Sequence, residues 1–132
     1  MVQYRRYVTS NPDELFFFTL VTLSREQFFR STSTANLVHD QFDDGFRYAG
    51  GEIHAWVIMP DHFHLLVAQG TRSFSDTIKR CKLHLNMKIL NGKGSLWQPR
   101  FWEHKIRNDE DYRKHIDYIH FNPVRHGFCS QP

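Results

Sequence analysis

Two runs of strand-forming residues, Ala49–Met59 and His62–Gln69, are separated only by Pro60 and Asp61. A gap that short obliges the chain to double back, so the two runs are read as an antiparallel hairpin. The hairpin fixes which side chains travel together. Side chains alternate along a strand with a period of two, which puts His62 and His64 on one face, about 7 Å apart along the backbone. Phe63, Leu65 and Val67 then point the other way, into a core. Two imidazoles side by side on a rigid strand make half of a divalent-metal site. A His-x-His pair on a half-wet strand is more often ordinary surface, so spacing alone leaves both readings open.

The segments around this hairpin extend the pattern. Leu15–Leu23 (LFFFTLVTL) reads as a buried strand. Ser33 or Thr34 is placed to cap a helix with Ala35, Val38 and Phe42 inward, ending near Asp44 at Gly45. After the hairpin, Phe74, Ile78, Cys81, Leu85 and Ile89 form an apolar stripe on a second helix, opened by a capping box of Ser73 with Asp76 and closed by Asn91-Gly92. Lys93–Arg100 is a loop, and a short strand is expected around Glu103–Arg107. The acidic run Asn108–Asp111 favours the start of a last helix, expected to end near Pro123. The order β-α-β-β-α-β-α implies an α+β, ferredoxin-like antiparallel sheet with helices on one face and an additional C-terminal helix. Residues 1–132 are one domain's worth of chain. In this arrangement His62 and His64 would face the side of the sheet left open for ligands.

Charge is unevenly spread. Lys79–Arg107 holds eight basic residues and one acid, a net +7 that leaves −4 for the rest of a chain whose total is +3. Basic charge with Trp97, Phe101 and Trp102 among it suits a nucleic-acid backbone with stacking rings nearby, or else a solvated helix face followed by a basic loop. Cys81 and Cys129 form no C-x-x-C pair, and the apolar stretch Leu15–Leu23 is too short to span a bilayer. A reduced, cytoplasmic protein without membrane partners is expected.

The last helix carries two tyrosines that helical geometry separates. At about 100° per residue, Tyr112, Ile116 and Ile119 fall on one apolar stripe, whereas His115, Tyr118 and Asn122 fall on a polar one. Tyr118 and Asn122 are four apart and so are neighbours. Tyr112 is read as structural and Tyr118 as the phenol available for chemistry. Asn122 offers a carbonyl oxygen to a cation held by the histidine pair, and His115 and His120 are candidate proton carriers.

Pro60-Asp61-His62-Phe63-His64-Leu65 resembles the HUH motif (His, hydrophobic, His) of single-tyrosine transposases. Trp97–His104 (WQPRFWEH) and Asp117–Gly127 (DYIHFNPVRHG) look like the REP-associated tyrosine transposase branch of that family, as does Tyr4-Arg5-Arg6-Tyr7. The resemblance implies metal ligation by His62, His64 and Asn122, with Tyr118 as nucleophile. It implies cutting and rejoining of single-stranded DNA at hairpins, with Mg²⁺ or Mn²⁺, through a 5′-phosphotyrosine, by a monomer rather than a homodimer. Arg5, Arg6, Lys79, Arg80, Lys82, Trp97, Arg100, Trp102, Lys105 and Arg107 would contact the DNA. Many relatives carry a further tail beyond the tyrosine helix, whereas this sequence stops at Pro132.

Two other functions fit parts of the pattern. A non-catalytic module would bind single strands through rings and basic loops on the sheet. A metal-dependent hydrolase would add His54 or His104 to the pair and use a metal-bound water. The scarcity of carboxylates near the pair, with only Asp61 adjacent, weighs against the hydrolase.

Overall fold

The computed structural model describes residues 13–125, and of residues 122–125 the backbone alone. Four strands, β1 (Leu15–Val21), β2 (Glu52–Met59), β3 (His62–Ala68) and β4 (Trp102–Lys105), alternate with three helices, α1 (Thr32–Tyr48), α2 (Phe74–Leu90) and α3 (Asp109–Arg125). The strands form one sheet in the order β2-β3-β1-β4, with every neighbouring pair antiparallel. This is the ferredoxin-like arrangement expected from the element order.

Alternation along the strands sorts side chains into two cores. Phe16, Phe18 and Leu20 of β1 join Phe63, Leu65 and Val67 of β3 under α1 and α2, which contribute Val38, Phe42, Phe46, Phe74, Ile78 and Leu85. The opposite sheet face holds a smaller core of Phe17, Val57, Met59, Leu66 and Ile119. Tyr112 and Ile116 pack against it, as their shared stripe predicted, and so does Tyr118. The face expected to lie open is therefore roofed by α3. A sheet face bearing Phe17, Leu66 and Met59 carries too much apolar surface to be left in water.

Several boundaries depart from the sequence reading, each for a local reason. α1 starts from Ser31, whose hydroxyl accepts the Thr34 amide at 3.2 Å, and it runs through Gly45 to Tyr48. Gly45 does not end the helix. A Cβ there would lie 2.5 Å from Cys81 Sγ, so the glycine is where α2 comes close. Ser73 caps α2 through the Ser75 amide at 3.2 Å rather than through a box with Asp76. Asn91 ends α2 in the left-handed conformation (φ 55°, ψ 30°). β4 begins at Trp102, and α3 continues past Pro123 to Arg125.

β2 contains the least expected feature. Ile53 pairs with Val67 and Ala55 with Leu66, so His54 is an extra residue and the strand bulges there. The bulge inverts the alternation. Ile53 packs with the α1–α2 core, whereas Ala55, Val57 and Met59 pack beneath α3, although uninterrupted alternation would have put all four together. His54 Nδ1 lies 3.1 Å from the Tyr112 hydroxyl, which ties the bulge to α3.

Candidate active site

Residues directly opposite one another on neighbouring strands share a sheet face. The register therefore lays out the floor beneath α3 in rungs. Met59, His62 and Val21 form one; Val57, His64, Thr19 and Trp102 form the next; Leu66, Phe17 and His104 form the third.

Each histidine of the pair has its Nδ1 engaged by a polar neighbour. His62 Nδ1 lies 2.7 Å from Asp61 Oδ1, and the other oxygen of that carboxylate accepts from Arg25 Nε at 3.0 Å. His64 Nδ1 lies 2.8 Å from Thr19 Oγ1. Burial pushes the Asp61 carboxyl up, but the bonds from His62 and Arg25 outweigh it and hold the group below its ordinary value. Arg25 reaches Asp61 from a turn in which Ser24 and Arg25 both take positive φ (55° and 54°), a strained placement of a kind common beside functional groups. The two imidazoles are buried, 5.1 Å apart between ring centroids and inclined at 75°. Partners on Nδ1 fix ring orientation, and Nε2 is the atom that would ligate a metal in this arrangement. The donor chemistry thus fits a divalent cation.

Tyr118 reaches this pair from the roof. Its ring is 5.2 Å from that of His64 at 74°, and 6.0 Å from Phe17 at 79°. Asn122 lies on α3 one turn beyond Tyr118, and its side chain is outside the described residues. His62, His64 and Tyr118, chosen from separate parts of the sequence, are brought together within one chain.

The two candidate proton carriers sit elsewhere. His115 turns to Asp111, its Nδ1 lying 2.8 Å from the backbone oxygen and 3.3 Å from Oδ1, and it stacks on His104 with centroids 4.7 Å apart. Phe17 stands between it and the pair, 4.6 Å from His115 and 5.2 Å from His64. His120 is exposed, packs on Phe121 and lines a groove with His54 and Trp56 beside β2.

The residues expected to meet DNA divide. Trp97 is a correction: it is buried against Phe29, Phe42 and Phe63, and its indole N–H donates to the Lys82 carbonyl at 3.1 Å. Lys82 is half-buried: its ammonium donates to the Gln98 carbonyl at 3.2 Å, and burial of the side chain pulls its pKa down. Both pin the loop after α2 to that helix. Lys79 and Arg80 are exposed on α2, across the sheet from the histidines. Trp102 is 70% exposed, and Arg100, Lys105 and Arg107 are exposed near it on the β4 edge, with Lys105 paired to Glu14 at 2.6 Å. Arg5, Arg6, Tyr4 and Tyr7 lie outside the described residues. Sequence reasoning missed Thr19 as a partner of His64. Its signal was a lone hydroxyl within the apolar run LFFFTLV.

The chain's likeness to known proteins agrees with this geometry. Residues 16–121 match the family model described as "Transposase IS200 like". An Escherichia coli protein named REP-associated tyrosine transposase is 37% identical over 99% of this chain and 78% of its own length. A Haemophilus influenzae protein, to which the same description is given provisionally, is 32% identical over 98% of this chain and 80% of its own. A solved structure of a REP-associated tyrosine transposase bound to a REP hairpin superposes with a TM-score of 0.79 at 36% identity, covering 99% of this chain and 78% of that one. The chain therefore belongs to the IS200-like transposase family, in its REP-associated tyrosine transposase branch.

Proposed function

We propose that this protein is a metal-dependent single-stranded DNA endonuclease and strand transferase that acts at hairpins through a covalent 5′-phosphotyrosine on Tyr118. The observation that carries the reading is the 5.2 Å approach of the Tyr118 ring to His64, in a chain whose histidine pair is oriented by Asp61 and Thr19. The hairpin substrate is supported by the relative whose structure holds a REP hairpin.

His62 and His64, with Asn122 as third ligand, would hold Mg²⁺ or Mn²⁺, which supplies Lewis-acid polarisation of a bound phosphodiester. The phenol oxygen of Tyr118 attacks phosphorus, forming an O–P bond while the bond from phosphorus to the 3′ oxygen breaks. The phenol proton is lost and the departing 3′ oxygen takes one up, so the cut leaves a 3′-hydroxyl and a 5′-phosphate on the tyrosine. Attack of a 3′-hydroxyl on that phosphotyrosine restores the diester and frees Tyr118. One phosphodiester-type bond replaces another at each step, so no external energy source is needed. Trp102, on the His64–Thr19 rung and mostly exposed, would stack a base beside the site.

Incubation with a hairpin oligonucleotide and Mn²⁺, followed by a denaturing gel, tests the reading. A covalent protein–DNA band is expected, and it should vanish in Tyr118→Phe while hairpin binding persists. Tight binding by the unaltered protein with no adduct would instead identify a non-catalytic binding module, and free ends released equally by Tyr118→Phe would identify a metal-dependent hydrolase.

A further inference from the structure

His104, Asp111 and His115 form a cluster that the proposed chemistry does not use. One nitrogen from each histidine and a carboxylate oxygen of Asp111 all lie within 4.8 Å of one another. His104 Nε2 is 2.9 Å from Asp111 Oδ2, and His115 Nδ1 is 3.3 Å from Oδ1. A tetrahedral zinc ion with bonds of about 2.0–2.1 Å sets its ligand atoms roughly 3.3 Å apart. Each imidazole nitrogen already lies near that distance from one of the two Asp111 carboxylate oxygens.

The surroundings suit a cation in other ways. Asp111 is buried, whereas the two histidines are half-buried, so one side of the cluster meets solvent. Three protein ligands with an open fourth position are a common zinc arrangement. The Arg107 amide donates to Asp111 Oδ2 at 2.9 Å, a bond from outside the ligand set that would orient the carboxylate. Asn108 accepts the Asp111 amide at 2.8 Å and fixes the first turn of α3 beneath it. The Arg107 guanidinium opposes a cation. Its Nε is 3.7 Å from Asp111 and its side chain is 74% exposed, free to swing into water.

We infer that His104, Asp111 and His115 constitute a second divalent-metal site, selective for zinc-class ions over Mg²⁺, that clips β4 to the N-terminal end of the tyrosine helix. Two imidazoles are borderline donors that favour Zn²⁺ or Co²⁺ over magnesium, which prefers an all-oxygen set, and the carboxylate completes the ligands. The ion would bridge the strand carrying Trp102 and the helix carrying Tyr118. It would stiffen the floor and roof of the candidate active site without touching a reacting atom. This inference does not depend on the proposed strand-transfer chemistry, because the ligands, the ion and the readout are all separate from it.

Cobalt titration of the full chain, followed by visible absorption, tests the site in the presence of excess Mg²⁺. The unaltered protein should take up one more equivalent of Co²⁺ than His104→Gln or His115→Gln, with the spectrum of a four- or five-coordinate ion. Zn²⁺ should displace that equivalent and raise the thermal midpoint of the unaltered protein by more than that of His104→Gln. Circular dichroism checks that both variants are folded, and His104→Gln is the milder because its side chain is 31% exposed. Affinity at this site should fall by at least the ~10–100-fold that loss of even an outer partner costs. If both variants bind cobalt with the stoichiometry and affinity of the unaltered chain, the cluster is a metal-free carboxylate–histidine clasp and the inference is overturned.

Discussion

Asp111 is a hub of polar contacts. It meets His104, His115 and the Arg107 amide at the start of α3. Burial alone would raise its pKa, yet the Arg107 amide, His104 and His115 together hold it below the ordinary carboxylate value. A group whose folded pKa is depressed contributes stability that is fully present above its unfolded value. That stability is lost as the pH falls through the folded value. Asp111→Asn should therefore destabilise the apo protein at neutral pH by about 1.5–3 kcal/mol, as for hydrogen bonds to a charged group. In urea titrations the gap between variant and parent should be present at neutral pH and close on acidification through the carboxylate range near ~4. Cys81 is the opposite case. Burial pushes its thiol up to about 12, so beneath Gly45 it is packing rather than a nucleophile.

At the level of elements, the sequence was most informative where a period repeats. The hairpin, the apolar stripe of α2 and the Tyr112–Ile116–Ile119 stripe of α3 could all be read from spacing, because each depends on several residues agreeing; Tyr118, read onto a polar stripe, packs against the same core. Single residues without a period were read less well. His54 lies in an apolar-rich run where nothing in composition marks a bulge; only pairing with β3 reveals that Ala55, not His54, faces Leu66. Asp61 was legible as the neighbour of His62, but Thr19 lies 45 positions from His64 and is found only through register. Trp97 and Trp102 show the same limit within one loop and strand. Both sit amid basic residues, yet Trp97 packs in the core and Trp102 is exposed. Trp97→Ala should cost about 3–5 kcal/mol of stability in chemical denaturation. Trp102→Ala should leave stability within about 0.5 kcal/mol while weakening hairpin binding by about 1–3 kcal/mol in a fluorescence titration.

Over the whole molecule, basic charge is distributed between two surfaces. Lys79 and Arg80 ride on α2, away from the histidines, and Arg100, Lys105 and Arg107 crowd the β4 edge on the side of Trp102. A phosphate backbone led to Tyr118 would follow the second surface. Hairpin affinity should fall steeply with salt, and hairpins should bind more tightly than unstructured strands of equal length. Arg100→Ala should reduce the slope of log affinity against log salt by about 1, whereas Lys79→Ala should leave it unchanged. Filter binding over a salt series measures both slopes.

The roofing of the sheet by α3 gives each polypeptide its own phenol above its own imidazoles. On the proposed chemistry, neither the phenol nor the imidazole pair would have to be borrowed from a neighbour. Two crippled proteins, one lacking the phenol (Tyr118→Phe) and one lacking an imidazole (His64→Ala), should thus fail to complement each other when mixed. For the intact protein, the specific rate of adduct formation should survive dilution undiminished while DNA remains saturating.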